Sequence, residues 1–149
     1  MSSWKPHVTV ATIAEDNGRF LFVEEEVRGA RMLNQPAGHL EPGESLVEAA
    51  VRETREETGW EVKPVALVGV YQWQDPALDD GVLRVCFHAH PVRQFPDEAL
   101  DRGIIRALWL EPEEAEAYPA EERSPLVQRC IQDYQAGRSY GLEVLSTLL

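Results

Sequence analysis

Apolar and polar positions follow two periods along this chain. Residues 7–14 (HVTVATIA) are apolar or β-branched on both alternations, the pattern of a strand buried on both faces, and residues 19–23 repeat it. Between them, Glu15-Asp16-Asn17-Gly18 ends in an Asn-Gly pair that tolerates the positive φ angles of a tight turn, so an antiparallel hairpin opens the fold. Further strands are predicted over 65–73, 82–90 and 104–110. Within 82–90, Leu83, Val85, Phe87 and Ala89 alternate with Arg84, Cys86, His88 and His90, which predicts one buried face and one polar face able to line a site.

Two longer segments carry the helical period. The first, over 45–58, opens with the capping-box spacing Ser45-x-x-Glu48 and closes at Gly59. Val47, Ala50, Val51, Thr54 and Thr58 fall on one stripe that packs on a sheet, with Glu53, Glu56 and Glu57 beside it. The second, over 124–136, has Ser124 as N-cap, Pro125 at the first helical position and Gly137 as its stop. Leu126, Val127, Cys130, Ile131 and Tyr134 form its packing stripe, and a shorter helical turn begins at Pro112. Strands and helices interleave without repeat or linker, so the expectation is α/β: one domain over 1–149, with helices packed on a mixed sheet.

Composition narrows the function classes. The 149 residues include 14 Lys plus Arg against 26 Asp plus Glu, a formal charge of −12, which argues against nucleic acid as a partner because a polyanion needs a basic footprint. A small phosphorylated substrate remains compatible if local arginines, helix-terminal amides or bound cations hold it. The two cysteines, Cys86 and Cys130, have neither framework nor zinc-ribbon spacing and read as buried thiols. The first six residues do not resemble a signal peptide and no apolar run is long enough for a membrane span, so the expected setting is cytoplasmic, away from membrane. Monomer and homodimer both stay open.

The stretch 38–60, GHLEPGESLVEAAVRETREETGW, carries the chemistry. Its i, i+3, i+4 spacing places the carboxylates of Glu53, Glu56 and Glu57 within about 100° of arc near the negative end of a helix dipole, where they repel one another. Arg52 and Arg55 relieve part of that, and an ion-paired solvated face is the ordinary reading of such a helix. The flanks favour another. Gly38 and Gly43 punctuate a loop that delivers Glu44 to the helix start, and hard oxygen donors so gathered suit Mg²⁺ or Mn²⁺.

Gly38, Glu44, Arg52, Glu53, Glu56, Glu57 and Gly59, at these spacings and ending at Trp60, resemble the Nudix box. Thr54 departs from it, since the family prefers an aliphatic residue there. Residues 5–11 (KPHVTVA), 34–41 (NQPAGHLE), 123–127 (RSPLV) and the tail from Tyr134 (YQAGRSYGLEVL) further resemble the NudJ group of that family, with Leu33 standing where a Trp is familiar and bearing on how a ring is gripped. The resemblance implies an α/β/α sandwich and an Mg²⁺-dependent hydrolase of phosphoanhydride bonds in nucleoside di- and triphosphates or a thiamine-pyrimidine pyrophosphate. It implies that Glu53, Glu56 and Glu57 hold metal together with the Gly38 carbonyl, and that Arg52 orients the glutamates. The general base is Glu53, or a residue of a later loop holding Asp97, Glu98 and Asp101, of which Glu98 ranks first.

Two rivals share the same box. One is an ADP-ribose or dinucleoside polyphosphate pyrophosphohydrolase; the other is a Nudix-fold ligand-binding module, which the intact glutamate set disfavours. Outside the box, Gln35, Arg28, Arg31 and Arg84 are candidates for phosphate or base contacts, since a guanidinium donates two bonds at once. Tyr71 and Trp73 share a strand face and either stack on a heterocycle or form a structural pair. His39 is of interest for its place beside Gly38, while His88 and His90 read as a polar sheet face more readily than as ligands.

Overall fold

The computed structural model describes residues 3–76 and 81–149, so Met1 and Ser2 of the N-terminal reading lie outside it. Strands β1 (His7–Asp16) and β2 (Arg19–Val27) form the opening hairpin, turning at Asn17 and Gly18 with φ of 52° and 81°. They pair only beside the turn, at Glu15↔Phe20 and Asp16↔Arg19, and then diverge into two sheets. β1 lies between β4 (Ala37–His39), antiparallel, and β6 (Gly81–Gln94), parallel, and β6 pairs in turn with β5 (Trp60–Gln74). β2 lies between β7 (Ile104–Leu110) and β3 (Ala30–Asn34), and β3 carries the short β8 (Glu121–Glu122).

Helix α1 (Leu46–Thr58) and helix α3 (Leu126–Gln135) cover opposite sides of the β1–β6 sheet, and the short α2 (Pro112–Ala117) follows β7. Because successive side chains of a strand point to opposite faces, β1 sends Val10 into the core under α1 and Ala11 and Ile13 into the core under α3. β6 does the same with Val85 and Phe87 on one side and Cys86 on the other. The mixed sheet between helical layers is the expected α/β/α arrangement. No helix among the described residues is long and apolar enough to cross a membrane.

Several expectations change in detail. On the face of β6 expected to be polar, Cys86 is buried in the core under α3 and Arg84 is buried as well, while His90 is exposed. His88 and His90 touch edge to face at 5.1 Å between centroids, with His88 also against Tyr134. The buried face of α1 consists of Ala49, Ala50, Thr54, Glu57 and Thr58, so it is rotated from the predicted stripe, with Val51 half-exposed and a glutamate turned inward. β5 begins immediately after Gly59 and runs through Pro64 with register shifts that accommodate the missing N–H. β3, β4 and β8 had no period to announce them, being five, three and two residues long.

Candidate active site

The site is built on the C-terminal half of α1. Ser45 Oγ accepts from the Glu48 N–H and Glu48 Oε1 accepts from the Ser45 N–H, both at 3.0 Å, which closes the capping box and fixes where the helix starts. At the other end Gly59 takes a left-handed φ of 75° and donates to the Arg55 carbonyl at 2.8 Å. The loop after β6 is tied to this end of the helix. Phe95 N–H donates to the Gly59 carbonyl at 2.7 Å and Asp101 N–H to the Glu56 carbonyl at 2.9 Å.

That tie brings a third carboxylate to the helix. Oxygens of Glu53, Glu56 and Asp101 lie within 4.8 Å of one another, a set of hard donors that fits a divalent cation such as Mg²⁺ or Mn²⁺. Arg52 binds across the cluster. Its Nε and Nη2 grip Glu44 at 2.9 and 2.7 Å, its Nη1 reaches Glu53 at 2.8 Å and Glu56 at 3.1 Å, and Nη2 also donates to the His39 carbonyl at 3.1 Å. One planar fork thus orients two of the three carboxylates and is itself oriented by Glu44.

β4 approaches the helix so closely that only glycine fits. The Glu53 carboxylate occupies the space where a Gly38 side chain would be. Next along, the Ala37 N–H donates to Glu57 Oε1 at 2.9 Å, holding that glutamate inside the protein. Burial pushes the Glu57 carboxyl up to about 8, the Ala37 N–H opposing it and the charge of Glu53 adding to it. Glu53 is raised for the same first reason, against the pull of Arg52 and with the charges of Glu56 and Asp101 adding. Carboxylates crowded in this way gain from positive charge placed between them.

Glu53 also lines a cleft of about 560 Å³ whose wall includes Glu57, Gly38, His39, Trp73, Arg28, Arg84 and Arg123. Three of the four stretches that carried the finer resemblance meet here: His7 and Thr9 from 5–11, Asn34, Ala37, Gly38, His39 and Glu41 from 34–41, and Arg123, Ser124 and Leu126 from 123–127. The candidates of the sequence reading separate on this map. Glu53, Glu57, Gly38, Trp73, Arg28, Arg84 and His39 line the cleft. Gln35 sits beneath it, buried, donating to the Val127 carbonyl at 2.5 Å and accepting from Arg84 at 3.1 Å. Arg31 is directed elsewhere, onto the buried Glu24 at 2.6 Å.

Tyr71 also leaves the candidate set, since its hydroxyl donates to Asp133 at 2.8 Å within the core under α3. Leu33 lies in that same core rather than against the cleft. Glu98 is engaged by Arg55 through two bonds of 2.9 and 2.8 Å, while Asp101, three residues on, joins Glu53 and Glu56. The sequence did place both in one loop. What selects Asp101 is the backbone bond to the Glu56 carbonyl, for which composition gives no signal. Thr9, Asn34 and Arg123 were also missed individually, although the matched segments contained them.

The fold and this site define a Nudix enzyme: the NUDIX domain model matches residues 4–130, and the chain belongs to that family, as a Nudix hydrolase. It is 42% identical over 142 residues to Phosphatase NudJ of Escherichia coli strain K12, across 95% of this chain and 92% of that protein. A NUDIX hydrolase from Nitrosomonas europaea is 47% identical, with a TM-score of 0.94 over 97% of this chain and 98% of that one. The MutT protein from Methanosarcina mazei Go1, at 23% identity and a TM-score of 0.69 over 92% of this chain and 99% of that one, shares the fold.

Proposed function

We propose that the protein is an Mg²⁺-dependent (or Mn²⁺-dependent) phosphatase that hydrolyses phosphoanhydride bonds of nucleoside di- and triphosphates or of a thiamine-pyrimidine pyrophosphate. The observation that carries this reading is the position of Glu53, which belongs both to the acidic cluster with Glu56 and Asp101 and to the wall of the cleft. Similarity to relatives named as phosphatases supports it.

In this reading Glu53, Glu56 and Asp101 hold the cation, with Glu57 and the Gly38 carbonyl beside them. Bound there, the cation neutralises phosphate oxygens and lowers the pKa of an attacking water. Arg52 keeps Glu53 and Glu56 aimed, and Glu44 keeps Arg52 from turning. Glu53 serves as the general base, being the one member of the Glu53, Glu56 and Asp101 cluster that lines the cleft. Asp101 replaces Glu98 among the contributors from the later loop, because Glu98 is spent on Arg55. Arg28 and Arg123 offer charge to the substrate phosphates, which an acidic chain otherwise repels. The reading takes residues 1–149 as one domain acting in the cytoplasm without nucleic acid or membrane, as a monomer or homodimer.

Phosphate release from GTP and GDP, with Mg²⁺ or EDTA and with or without added inorganic pyrophosphatase, together with chromatography of the AMP released from ADP-ribose, tests it. Metal-dependent orthophosphate that needs no pyrophosphatase is expected. Signal appearing only with pyrophosphatase, or turnover confined to ADP-ribose, rejects the phosphatase assignment in favour of a pyrophosphohydrolase.

A further inference from the structure

The four histidines of the chain fall into two edge-to-face pairs, His7 with His39 at 5.2 Å between ring centroids and His88 with His90 at 5.1 Å. The first pair lines the cleft. The second lies outside it, His88 being four residues beyond Arg84 on β6, about 13 Å at the rise of an extended strand. His88 and His90 are two apart on that strand, so both rings leave the same face of the sheet, the one under α3.

Two further elements bring groups to this pair. β1 runs parallel to β6 with Ile13 opposite His88 and Ala14 opposite Ala89, which carries Glu15 to the next position, beside His90. From α3, the Tyr134 hydroxyl donates to Glu15 Oε1 at 2.6 Å and lies 3.5 Å from His88 Nε2. A ring nitrogen and a carboxylate oxygen thus converge on one phenol oxygen. His90 is exposed, so its ring can turn toward the same point. Burial and the neighbouring His90 hold His88 below the ordinary imidazole value, against the pull of Glu15, which keeps the ring neutral at neutral pH.

Two imidazoles on one tetrahedral ion, with metal–nitrogen distances of about 2.0–2.1 Å, stand with their ring centres about 5 Å apart, the spacing found here. Edge-to-face packing alone allows the same spacing; what distinguishes a ligand set is the carboxylate that β1 delivers beside the rings. Nitrogen donors select Zn²⁺, Ni²⁺ or Cu²⁺ over Mg²⁺, so these groups differ in kind from the all-oxygen cluster of Glu53, Glu56 and Asp101. We propose that His88, His90 and Glu15 form a second, transition-metal site at the junction of β1, β6 and α3. Closing it requires Glu15 to exchange the Tyr134 hydroxyl for the ion and His90 to turn inward.

Calorimetric titration of the whole protein with Zn²⁺ in excess Mg²⁺ tests this. A binding event that Mg²⁺ does not displace is expected, weakened about tenfold or more in His90→Gln and in Glu15→Gln. It should persist unchanged in His39→Gln, which breaks the other histidine pair, and in Glu56→Gln, which impairs the oxygen cluster. Bound Zn²⁺ should also raise the melting temperature of wild type but not of His90→Gln. In the wild-type protein alone, Zn²⁺ should shift the ring resonances of His88 and His90 and leave those of His7 and His39 in place, a readout that does not depend on any variant folding. No Zn²⁺ binding in excess Mg²⁺, unshifted His88 and His90 resonances, or an affinity unchanged in His90→Gln overturns the proposal. Loss of binding in His39→Gln or in Glu56→Gln, with His90→Gln unaffected, places the ion elsewhere and overturns it equally.

Discussion

Gly38 and Glu53 are in direct contact, and a Cβ built on the glycine would lie 2.1 Å from the Glu53 Cδ. Gly38 cannot retreat, because β4 is paired with β1 through Val10. Gly38→Ala should therefore displace the Glu53 carboxylate rather than the backbone. A displacement of this kind lowers kcat by about 100-fold with little change in melting temperature. Steady-state kinetics beside a thermal melt check it, and a variant that keeps wild-type kcat would show that the close contact has no catalytic consequence.

Arg52 reaches Glu44, Glu53 and Glu56 through one guanidinium, a geometry that an ammonium cannot reproduce. Arg52→Lys is expected to reduce kcat by about 10- to 100-fold while the charge is conserved. Glu44→Gln should move in the same direction, because it loosens the fork that aims the other two carboxylates. Titration of Mg²⁺ against activity in both variants gives the second readout, with the half-saturating concentration expected to rise. Wild-type behaviour of Arg52→Lys would mean that charge alone suffices at this position.

The two ends of this site differed in how readable they were. Ser45, Glu48 and Gly59 announced the helix and its limits, since capping is a local interaction between residues close in sequence. Glu53, Glu56 and Glu57 were placed near one another by helical geometry alone. The sequence ranks Glu98 ahead of Asp101, whereas Asp101 is the one that joins Glu53 and Glu56, because the choice depends on which of them Arg55 occupies and on a backbone bond between segments far apart in sequence. Tyr71 and Arg31 misled for a related reason. Each has a partner, Asp133 and Glu24 respectively, brought to it by tertiary packing that periodicity does not encode.

Thr54, the one departure inside the box, has its own partner. It shares a 2.8 Å hydrogen bond with Thr12 of β1 and also donates to the Ala50 carbonyl at 2.7 Å, all within the buried face of α1. Thr12→Val leaves Thr54 satisfied by Ala50 and should cost about 1 kcal/mol or less. Thr54→Val strands the buried Thr12 hydroxyl and should cost about 1–3 kcal/mol, most of it recovered in the double variant. Urea denaturation of all four proteins completes the cycle. Equal losses in the two single variants would contradict the asymmetry.

Asp133 gives the acid limb of stability a specific origin. Burial alone would raise its carboxyl, but the Tyr71 hydroxyl and the charges of Arg129 and Arg138 outweigh it and hold the group below the usual carboxylate range. The folded protein therefore binds this proton less readily than the unfolded chain does. The resulting stabilisation is fully present above the unfolded pKa of about 4 and is lost as pH falls through the lower folded value. Asp133→Asn should melt at a lower temperature than wild type at neutral pH, and the gap should narrow on acidification below about pH 4. Other depressed carboxylates, Glu24 and Glu44 among them, contribute to the acid slope of both proteins, so the difference between the two melting curves isolates Asp133. A gap that stays constant down to the acid transition would assign the loss to packing around Tyr71 instead of to the charge.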